Sequence, residues 1–150
     1  MVGPEAFDNV QLLGAARRSR RDPYRFELFG QHLDPGENPV ALVEIQGGTL
    51  LVTDRRVIQF QPHLDVHGAW NVKEFLGYSV RRAWSRDGIV DVSRVTARSA
   101  GGPRRDVEDT IRFVTSEGRA DILVSRAPST TLSEEDFTIL RGAILSGQAK

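Results

Sequence analysis

The sequence predicts a mostly β protein of the α+β class, with an antiparallel sheet between an N-terminal helical extension and a C-terminal helix. Beyond residue 39, short runs of β-branched and aliphatic residues alternate with turn residues, which is typical of a meandering sheet rather than of βαβ units. Near the end, Ser133 precedes an apolar stripe with helical spacing. Near the start, Pro4 and acidic residues precede a run of arginines, which favours a helix whose charges complement its dipole.

The composition is that of a single soluble domain. Of the 150 residues, 39% are hydrophobic and 27% are charged, which argues against disorder. The chain has no cysteine, which excludes disulfides, thiolate catalysis and cysteine-bound zinc. Twenty basic residues balance twenty acidic ones, so no net charge draws the molecule to nucleic acid or lipid. No run of about 18 apolar residues occurs, and we therefore expect a cytoplasmic protein.

Two helices are predicted in the N-terminal extension, residues 1–32. The first begins at Pro4 and ends near Arg18. The second follows the Asp22-Pro23 pair, an N-cap residue and a proline at the first helical position. Its aromatic residues share one helical face, although their alternation is also compatible with a strand. The Asp-Pro start favours the helix.

Residues 33–150 form the predicted main domain, with seven strands. Glycines at 47 and 48 supply a tight hairpin loop, and Arg86-Asp87-Gly88 favours a later turn. We expect a break at residues 62–68, which proline and glycine bracket, and a loop at residues 99–103, where small residues have little to bury. The predicted strands are 40–45, 49–53, 57–60, 74–84, 89–96, 107–113 and 120–124.

The C-terminal helix has the sharpest local signals. Ser133 is the predicted N-cap, Asp136 occupies the capping-box position, and Leu132 and Phe137 stand where a hydrophobic staple requires them. Gly147 follows the apolar run and suits a C-cap. The apolar face of this helix is expected to pack on the sheet.

The hairpin over residues 48–60 carries the one family signature in the chain. Its residues Gly48, Leu50, Thr53, Asp54 and Arg56, preceded by the tripeptide Pro-Gly-Glu ending at residue 37, form the pattern "pGE … G-x-L-x-x-T-D-x-R". This pattern resembles that of bacterial pleckstrin-homology-like (PH-like) domains, a group that includes GRAM-type modules. The resemblance covers residues 33–146 and its motif covers residues 33–60.

The resemblance implies a seven-stranded, strongly bent antiparallel barrel capped by the C-terminal helix. It also implies that the Thr-Asp-x-Arg hairpin is a structural landmark rather than a catalytic centre. Members of the group bind phosphoinositides through basic residues around the first hairpin loop, but Gln46, its two following glycines and the strand at 49–53 carry no charge. The expectation carried over is therefore a bacterial protein-interaction module.

Arginines supply the candidate binding residues. Three groupings could form local basic patches if they converge: residues 17–21, residues 81–86 and residues 104–105. Nearby acidic residues could instead pair with them on an ordinary solvated surface, and exposure at a turn would explain residues 55 and 56. The candidates for ligand or partner binding are Arg55, Arg56, Arg81, Arg82, Arg104 and Arg105.

From these observations we expect a non-catalytic module that binds a protein partner or self-associates. The alternative is peripheral binding to anionic lipid at the inner membrane surface through arginine-bearing loops. Nucleic-acid binding is not expected, because the aromatic residues beside Arg81 and Arg82 are more simply explained as core. Those aromatic residues are Trp70, Phe75, Tyr78 and Trp84.

Chemistry at a metal or a nucleophile has little support in the sequence. His63, Asp65 and His67 would point to one side of a strand, but Pro62 and Gly68 favour a loop there. No nucleophile elbow, P-loop or dinucleotide-binding glycine pattern occurs. We predict no cofactor, no metal and no enzymatic activity.

Overall fold

The computed structural model describes residues 3–14, 23–67, 72–98, 107–125 and 132–145. Over these residues the chain is mostly β, as predicted. Short 3₁₀ turns lie at Pro4–Phe7 and Arg86–Gly88. The strands and helices are β1 (Gln11–Leu13), α1 (Pro23–Gly30), β2 (Pro39–Ile45), β3 (Gly48–Thr53), β4 (Arg56–His67), β5 (Val72–Ser85), β6 (Ile89–Arg98), β7 (Val107–Thr115), β8 (Gly118–Ser125) and α2 (Glu134–Leu145).

The strands form two sheets in the described part of the chain. The first sheet has the order β1-β2-β3-β4-β5 and the second has the order β6-β7-β8. All pairings are antiparallel except that of β1 with β2, which is parallel. All seven predicted strands are confirmed, and β1 is an additional strand.

The described strands do not form the single closed barrel that the resemblance implies. The chain leaves the first sheet at the 3₁₀ turn Arg86–Gly88, and β5 does not pair with β6. The N–H of Arg86 bonds to the carbonyl of Arg55, 3.0 Å away, rather than across a β5–β6 hairpin. The two sheets approach each other elsewhere, where the N–H of Gln46 donates to the carbonyl of Leu123 at 3.0 Å.

The first predicted helix is wrong over the described residues. A 3₁₀ turn replaces its start, and β1 then pairs in parallel with β2, with Leu13 opposite Val43. Helix propensity there is weak, and the strand buries Val10 and Leu13 while completing backbone hydrogen bonds to β2. Gly14, at φ 60°, ends the strand. The predicted helix end near residue 18 lies outside the described residues.

The second predicted helix is confirmed as α1, and its strand alternative is wrong. Phe26 and Phe29 are buried on one helical face. They join Phe7, whose ring stacks on Phe26 at 5.0 Å, and Phe60 of β4, whose ring centre lies 4.9 Å from that of Phe29. The N-terminal segment therefore packs directly on the first sheet.

The first sheet is covered on both faces. Its outer face carries the cluster built with the N-terminal segment, and its inner face meets the second sheet and α2. This double burial explains the near-continuous apolar sequence of β3, in contrast to the alternation expected of a strand with one solvated face. The outer cluster comprises Phe7, Val10, Phe26, Phe29, Leu33, Leu42, Leu51, Ile58 and Phe60.

The break predicted at residues 62–68 is wrong as far as residue 67, because β4 continues through Pro62 to His67. Strand β3 begins at Gly48, so among the described strands β4 has no partner on that side beyond Phe60 and Gln61. A proline without an N–H is tolerated at such a one-sided position. The pairing with β5 is also irregular here, with a register shift after Pro62.

The predicted N-cap of α2, Ser133, is confirmed. The N–H of Asp136 donates to Oγ of Ser133 at 3.1 Å, and Leu132 and Phe137 both lie in the inner core. Oδ2 of Asp136 accepts the N–H of Gly14 at 2.9 Å, which ties α2 to the end of β1. The predicted C-cap Gly147 lies outside the described residues.

Neither described helix has the length and apolar character needed to cross a lipid bilayer.

Candidate functional site

The turn before β2 is built by its sequence. Asp34, Pro35, Gly36 and Glu37 close a tight turn in which the N–H of Glu37 bonds to the carbonyl of Asp34 at 3.0 Å. Proline stands at the second position and Gly36, at φ 82°, at the third, the residues that a type II turn requires. The turn directs the carboxylate of Glu37 back toward the hairpin.

Glu37, Thr53 and Arg56 form what we call the Glu37 cluster. The guanidinium of Arg56 binds Glu37 through two bonds, from Nε at 3.0 Å and from Nη2 at 2.7 Å. The hydroxyl of Thr53 donates to Oε2 of Glu37 at 2.7 Å, and the N–H of Asp34 donates to Oε1 at 2.9 Å. Nη2 of Arg56 also reaches the carbonyl of His32 at 3.0 Å. Paired, bidentate geometry of this kind makes strong hydrogen bonds.

Electrostatics in the Glu37 cluster favour the ion pair. Burial by itself would raise the pKa of Glu37, but hydrogen bonds from Arg56, Thr53 and the Asp34 backbone, with the charge of Arg56, lower it to about 2. The hydrogen bond to Glu37 in turn raises the pKa of Arg56. The carboxylate is thus ionised at neutral pH, and both of its oxygens accept hydrogen bonds.

The β3–β4 turn is held by the same residues. Oγ1 of Thr53 accepts the N–H groups of Arg55 at 3.1 Å and Arg56 at 2.9 Å. Asp54 and Asn38 exchange backbone and side-chain bonds, with the N–H of Asn38 donating to Oδ1 at 3.0 Å. The signature residues of this hairpin are therefore committed to internal contacts. Of its two arginines, Arg55 is exposed as expected, whereas Arg56 is half-buried and paired.

A second arginine pair lies on β5, beside a β-bulge. Gln59 pairs with Arg82 and Phe60 with Val80, so Arg81 is an extra residue with no partner on β4. In a regular strand consecutive side chains point to opposite faces, but a bulge redirects one of them. Here both arginines line one cleft between β5 and β8, with Gln59 opposite them.

This cleft, which we call the Arg81 cleft, has a volume of about 260 Å³ and is lined by Gln46, Gln59, Arg81, Arg82 and residues 121–123. Nε of Arg82 donates to the side-chain oxygen of Gln59 at 2.8 Å, and Nη2 donates to the carbonyl of Asp121 at 3.2 Å. Its guanidinium lies 5.1 Å from the ring centre of Trp84. These contacts fix Arg82 in place at the seam between the sheets.

The Arg81 cleft is short of negative charge. Burial and the neighbouring charge of Arg81 lower the pKa of Arg82, against a smaller opposing effect of Asp121. The carboxylate of Asp121 is bound to Arg112 across β7 and β8, at 2.8 and 3.2 Å, and this hydrogen bonding lowers its pKa. Over the described residues, Arg81 is exposed and makes no hydrogen bond or ion pair.

The remaining candidate arginines have two outcomes. Arg86 was grouped with residues 81 and 82, but it is buried and its Nε donates to the carbonyl of Ile144 at 3.1 Å, at the end of α2. It does not contribute to the cleft. Arg104, Arg105 and the arginines at 17–21 lie outside the described residues.

The candidate metal ligands and the aromatic residues are described only in part. His63 is exposed, and the side chains of Asp65 and His67 lie outside the described set. No group of three metal-ligating side chains occurs in the described part of the chain. Tyr78 packs against the outer cluster and Trp84 meets Phe113 edge to face at 5.2 Å, which agrees with the core interpretation of these aromatics. Trp70 and the side chain of Phe75 are not described.

Sequence reasoning missed the residues that complete both sites. Glu37 was identified only as part of the signature, and the pairing with Arg56 is a contact over 19 positions. Gln46, Gln59 and Asp121 of the cleft carry no local motif. The only sequence signal for the cleft was the Arg81-Arg82 pair itself, and two consecutive arginines do not predict a β-bulge.

No protein-family model, curated protein or solved structure matches this chain.

Proposed function

We propose that the protein is a PH-like interaction module without enzymatic activity, and that it binds a partner protein along the outer edge of β5. Support for the PH-like assignment comes from the order of elements: four antiparallel strands β2–β5, three further strands β6–β8, and the terminal helix α2. The resemblance implies seven antiparallel strands followed by a helix. The residues of its signature hold the β3–β4 turn, which agrees with a structural role.

The absence of catalysis in this proposal is supported by the state of two of the three carboxylates that are buried over the described residues. Glu37 is bound by Arg56 as described above. Asp109 is bound by Arg94 through bonds of 2.8 and 3.1 Å and accepts the N–H of Leu132 at 2.7 Å. Acid–base catalysis needs a carboxyl group that is free to exchange a proton with a substrate. These two groups instead join strands and loops.

The edge of β5 is the observation that carries the binding proposal. Strand β5 is the last of the first sheet, and over the described residues it pairs only with β4. An unpaired strand edge presents backbone N–H and C=O groups to which an extended segment can add. Val80, at the centre of this edge, is 41% exposed, although large apolar side chains are usually buried. A partner strand would cover it.

Charge favours a different protein over a second copy as the occupant. Two copies pairing antiparallel around Val80 would place their Arg81 side chains as diagonal neighbours, two positions apart, where like charges repel. An extended segment of a different protein, without a positive charge at these positions, avoids that repulsion. On the family resemblance, the module would act in a bacterial cytoplasm or at the inner membrane surface.

The test compares two exposed valines. Val80→Glu places a negative charge on the β5 edge, and Val90→Glu makes the same change on β6, where Val90 is 58% exposed. Each variant and the unmodified protein are immobilised, and proteins retained from lysate are identified by mass spectrometry. We expect one retained partner that Val80→Glu loses and Val90→Glu keeps. Circular dichroism checks that both variants fold.

Two outcomes would contradict the proposal. Equal retention by both variants would show that the partner binds elsewhere. A dimer in sedimentation equilibrium that Val80→Glu converts to monomer would show that a second copy, not a partner protein, covers the edge. Loss of the partner only at Val80, with a monomeric unmodified protein, supports it.

A further inference from the structure

We infer that the Arg81 cleft is a binding site for a phosphate monoester group of a small molecule. The inference goes beyond the interaction proposed for the β5 edge and does not depend on it. The cleft lies on the inner side of the sheet, toward β8, whereas Val80 pairs with Phe60 of the outer cluster.

The first argument is the bulge. A regular β5 would send Arg81 and Arg82 to opposite faces, and only one of them could reach a given ligand. The extra residue at position 81 brings both cationic side chains to one cleft. Bulges are common beside functional sites because they redirect side chains in this way.

The second argument is the supply of hydrogen-bond donors. Arg82 is anchored by Gln59 and the Asp121 carbonyl through Nε and Nη2, and over the described residues its Nη1 makes no bond. Arg81 keeps all its donors free over the same residues. Two guanidinium groups, one held by hydrogen bonds and one exposed with free donors, match the planar, forked contacts that arginine makes with phosphate.

The third argument is charge. Among the described residues that line the cleft, the one carboxylate is that of Asp121, and Arg112 binds both of its oxygens. Arg81 and Arg82 therefore have no carboxylate of their own there, and Asp121 offsets the charge of Arg82 only in part. A phosphate monoester carries a charge of about −1.5 to −2 at neutral pH and would balance the charges of the two arginines, whereas a single carboxylate would leave an excess.

The fourth argument is size. At about 260 Å³ the cleft lies below the roughly 300–1,000 Å³ of pockets that hold drug-sized ligands. It is large enough for a phosphate group with a small substituent. The amide of Gln59, whose oxygen accepts from Arg82, retains its nitrogen as a further donor at the cleft wall.

The experiment titrates the ¹⁵N-labelled protein with glycerol 3-phosphate and follows the arginine Nε–H resonances by NMR. The variant is Arg81→Gln, which removes one charge from an exposed side chain. The matched control is Arg55→Gln, the same change at an exposed arginine on the β3–β4 turn. We expect saturable shifts that include Arg82, affinity reduced about tenfold or more in Arg81→Gln, and affinity unchanged in Arg55→Gln.

A second arm distinguishes a free metabolite from a lipid headgroup. Vesicles of phosphatidylcholine with phosphatidic acid, whose headgroup is a phosphate monoester, are sedimented with the protein and compared with vesicles containing phosphatidylglycerol, a diester. Sedimentation with phosphatidic acid alone, lost in Arg81→Gln, assigns the site to a lipid headgroup. Soluble binding without sedimentation assigns it to a free phosphate monoester.

The inference is overturned if neither glycerol 3-phosphate nor phosphatidic acid binds, or if Arg81→Gln and Arg55→Gln reduce binding equally. The second result would identify a diffuse attraction to positive charge instead of a built site. Because the partner test uses Val80 and the anion test uses Arg81, failure of one leaves the other intact.

Discussion

The first sheet carries two pairs of consecutive arginines, one at a turn and one at a β-bulge, and their side chains make different contacts. In the first, at the β3–β4 turn, Arg56 is held by a buried carboxylate and Arg55 is exposed on its own. In the second, on β5, a bulge brings Arg81 and Arg82 to one cleft, where the only carboxylate among the described lining residues is already bound by Arg112. A buried carboxylate within reach, and not the number of arginines, therefore decides whether an arginine is tied into the fold or keeps free hydrogen-bond donors.

The largest loss of stability is expected from a substitution of Glu37. Glu37→Gln keeps the shape of the side chain but leaves Arg56 without its countercharge. Removing one partner of a buried ion pair is strongly destabilising, and because Arg56 retains 30% side-chain exposure we expect a loss near the low end, about 3 kcal/mol. Urea denaturation at pH 7 measures it.

The control for this change is Asp121→Asn, which removes an exposed carboxylate from the Arg112 pair. The Asp121 side chain is 43% exposed, so its pairing contributes little to stability. Its urea midpoint should stay close to that of the unmodified protein. Equal losses in the two variants would contradict the structural role assigned to the Glu37 cluster.

Acid should weaken the Glu37 cluster in a defined range. The pKa of Glu37 is about 2 in the folded protein, against an ordinary value of 4.5. Between these values the unfolded chain binds the proton more readily, so the stabilisation is present above roughly pH 5 and is lost as the pH falls toward 2. Urea midpoints of the unmodified protein and Glu37→Gln should therefore converge on acidification. A gap that stays constant down to pH 2.5 would show that the pKa is not depressed.

Thr53→Val should have the next smaller effect. Valine matches threonine in shape but cannot accept the N–H groups of Arg55 and Arg56 or donate to Glu37. Leaving such groups unpaired costs about 1–3 kcal/mol, and we expect about 2. Thr53→Ser, which keeps the hydroxyl, should recover most of the loss in the same denaturation measurement. If serine is no better than valine, packing of the methyl group and not hydrogen bonding holds the turn.

The smallest effect is expected at Arg81. It makes no bond over the described residues, and its charge disfavours the charged form of Arg82. Arg81→Gln should therefore change the free energy of unfolding by less than about 0.5 kcal/mol, or raise it slightly. A large loss of stability would place Arg81 with Arg56 as a structural arginine and remove the distinction between the two pairs.

Local chemistry was enough to predict much of the fold. The seven strands, the turn at Arg86–Gly88, α1 after Asp22-Pro23 and the Ser133 cap of α2 all follow from residues within a few positions of one another. What failed depended on distant residues. Residues 11–13 form strand β1 because they pair in parallel with the edge of β2, some thirty positions later. The local sequence of residues 11–13 does not predict this pairing. Likewise, β4 continues through Pro62 because β3 does not extend beside it there.

The candidate sites show the same limit. The signature predicted a structural hairpin, but it did not show that Glu37 supplies the countercharge. Arg81 and Arg82 were identified as candidates, yet alternation along a strand would have separated them. The bulge, the crossing of β8 and the occupation of Asp121 by Arg112 all arise from tertiary packing. A charge count along the chain cannot supply any of these.

The bond between the N–H of Gly14 and Asp136 joins residues 122 positions apart. During synthesis, Gly14 must wait until α2 has left the ribosome before that bond can close. Phe7, ahead of Gly14, packs in the outer cluster with Phe26 of α1 and Phe60 of β4, which are made sooner. Assembly of the outer cluster can therefore precede the arrival of α2. Helix α2 then completes the inner core. We expect a chain that ends before α2 to retain the outer cluster but to leave the inner face of the first sheet exposed.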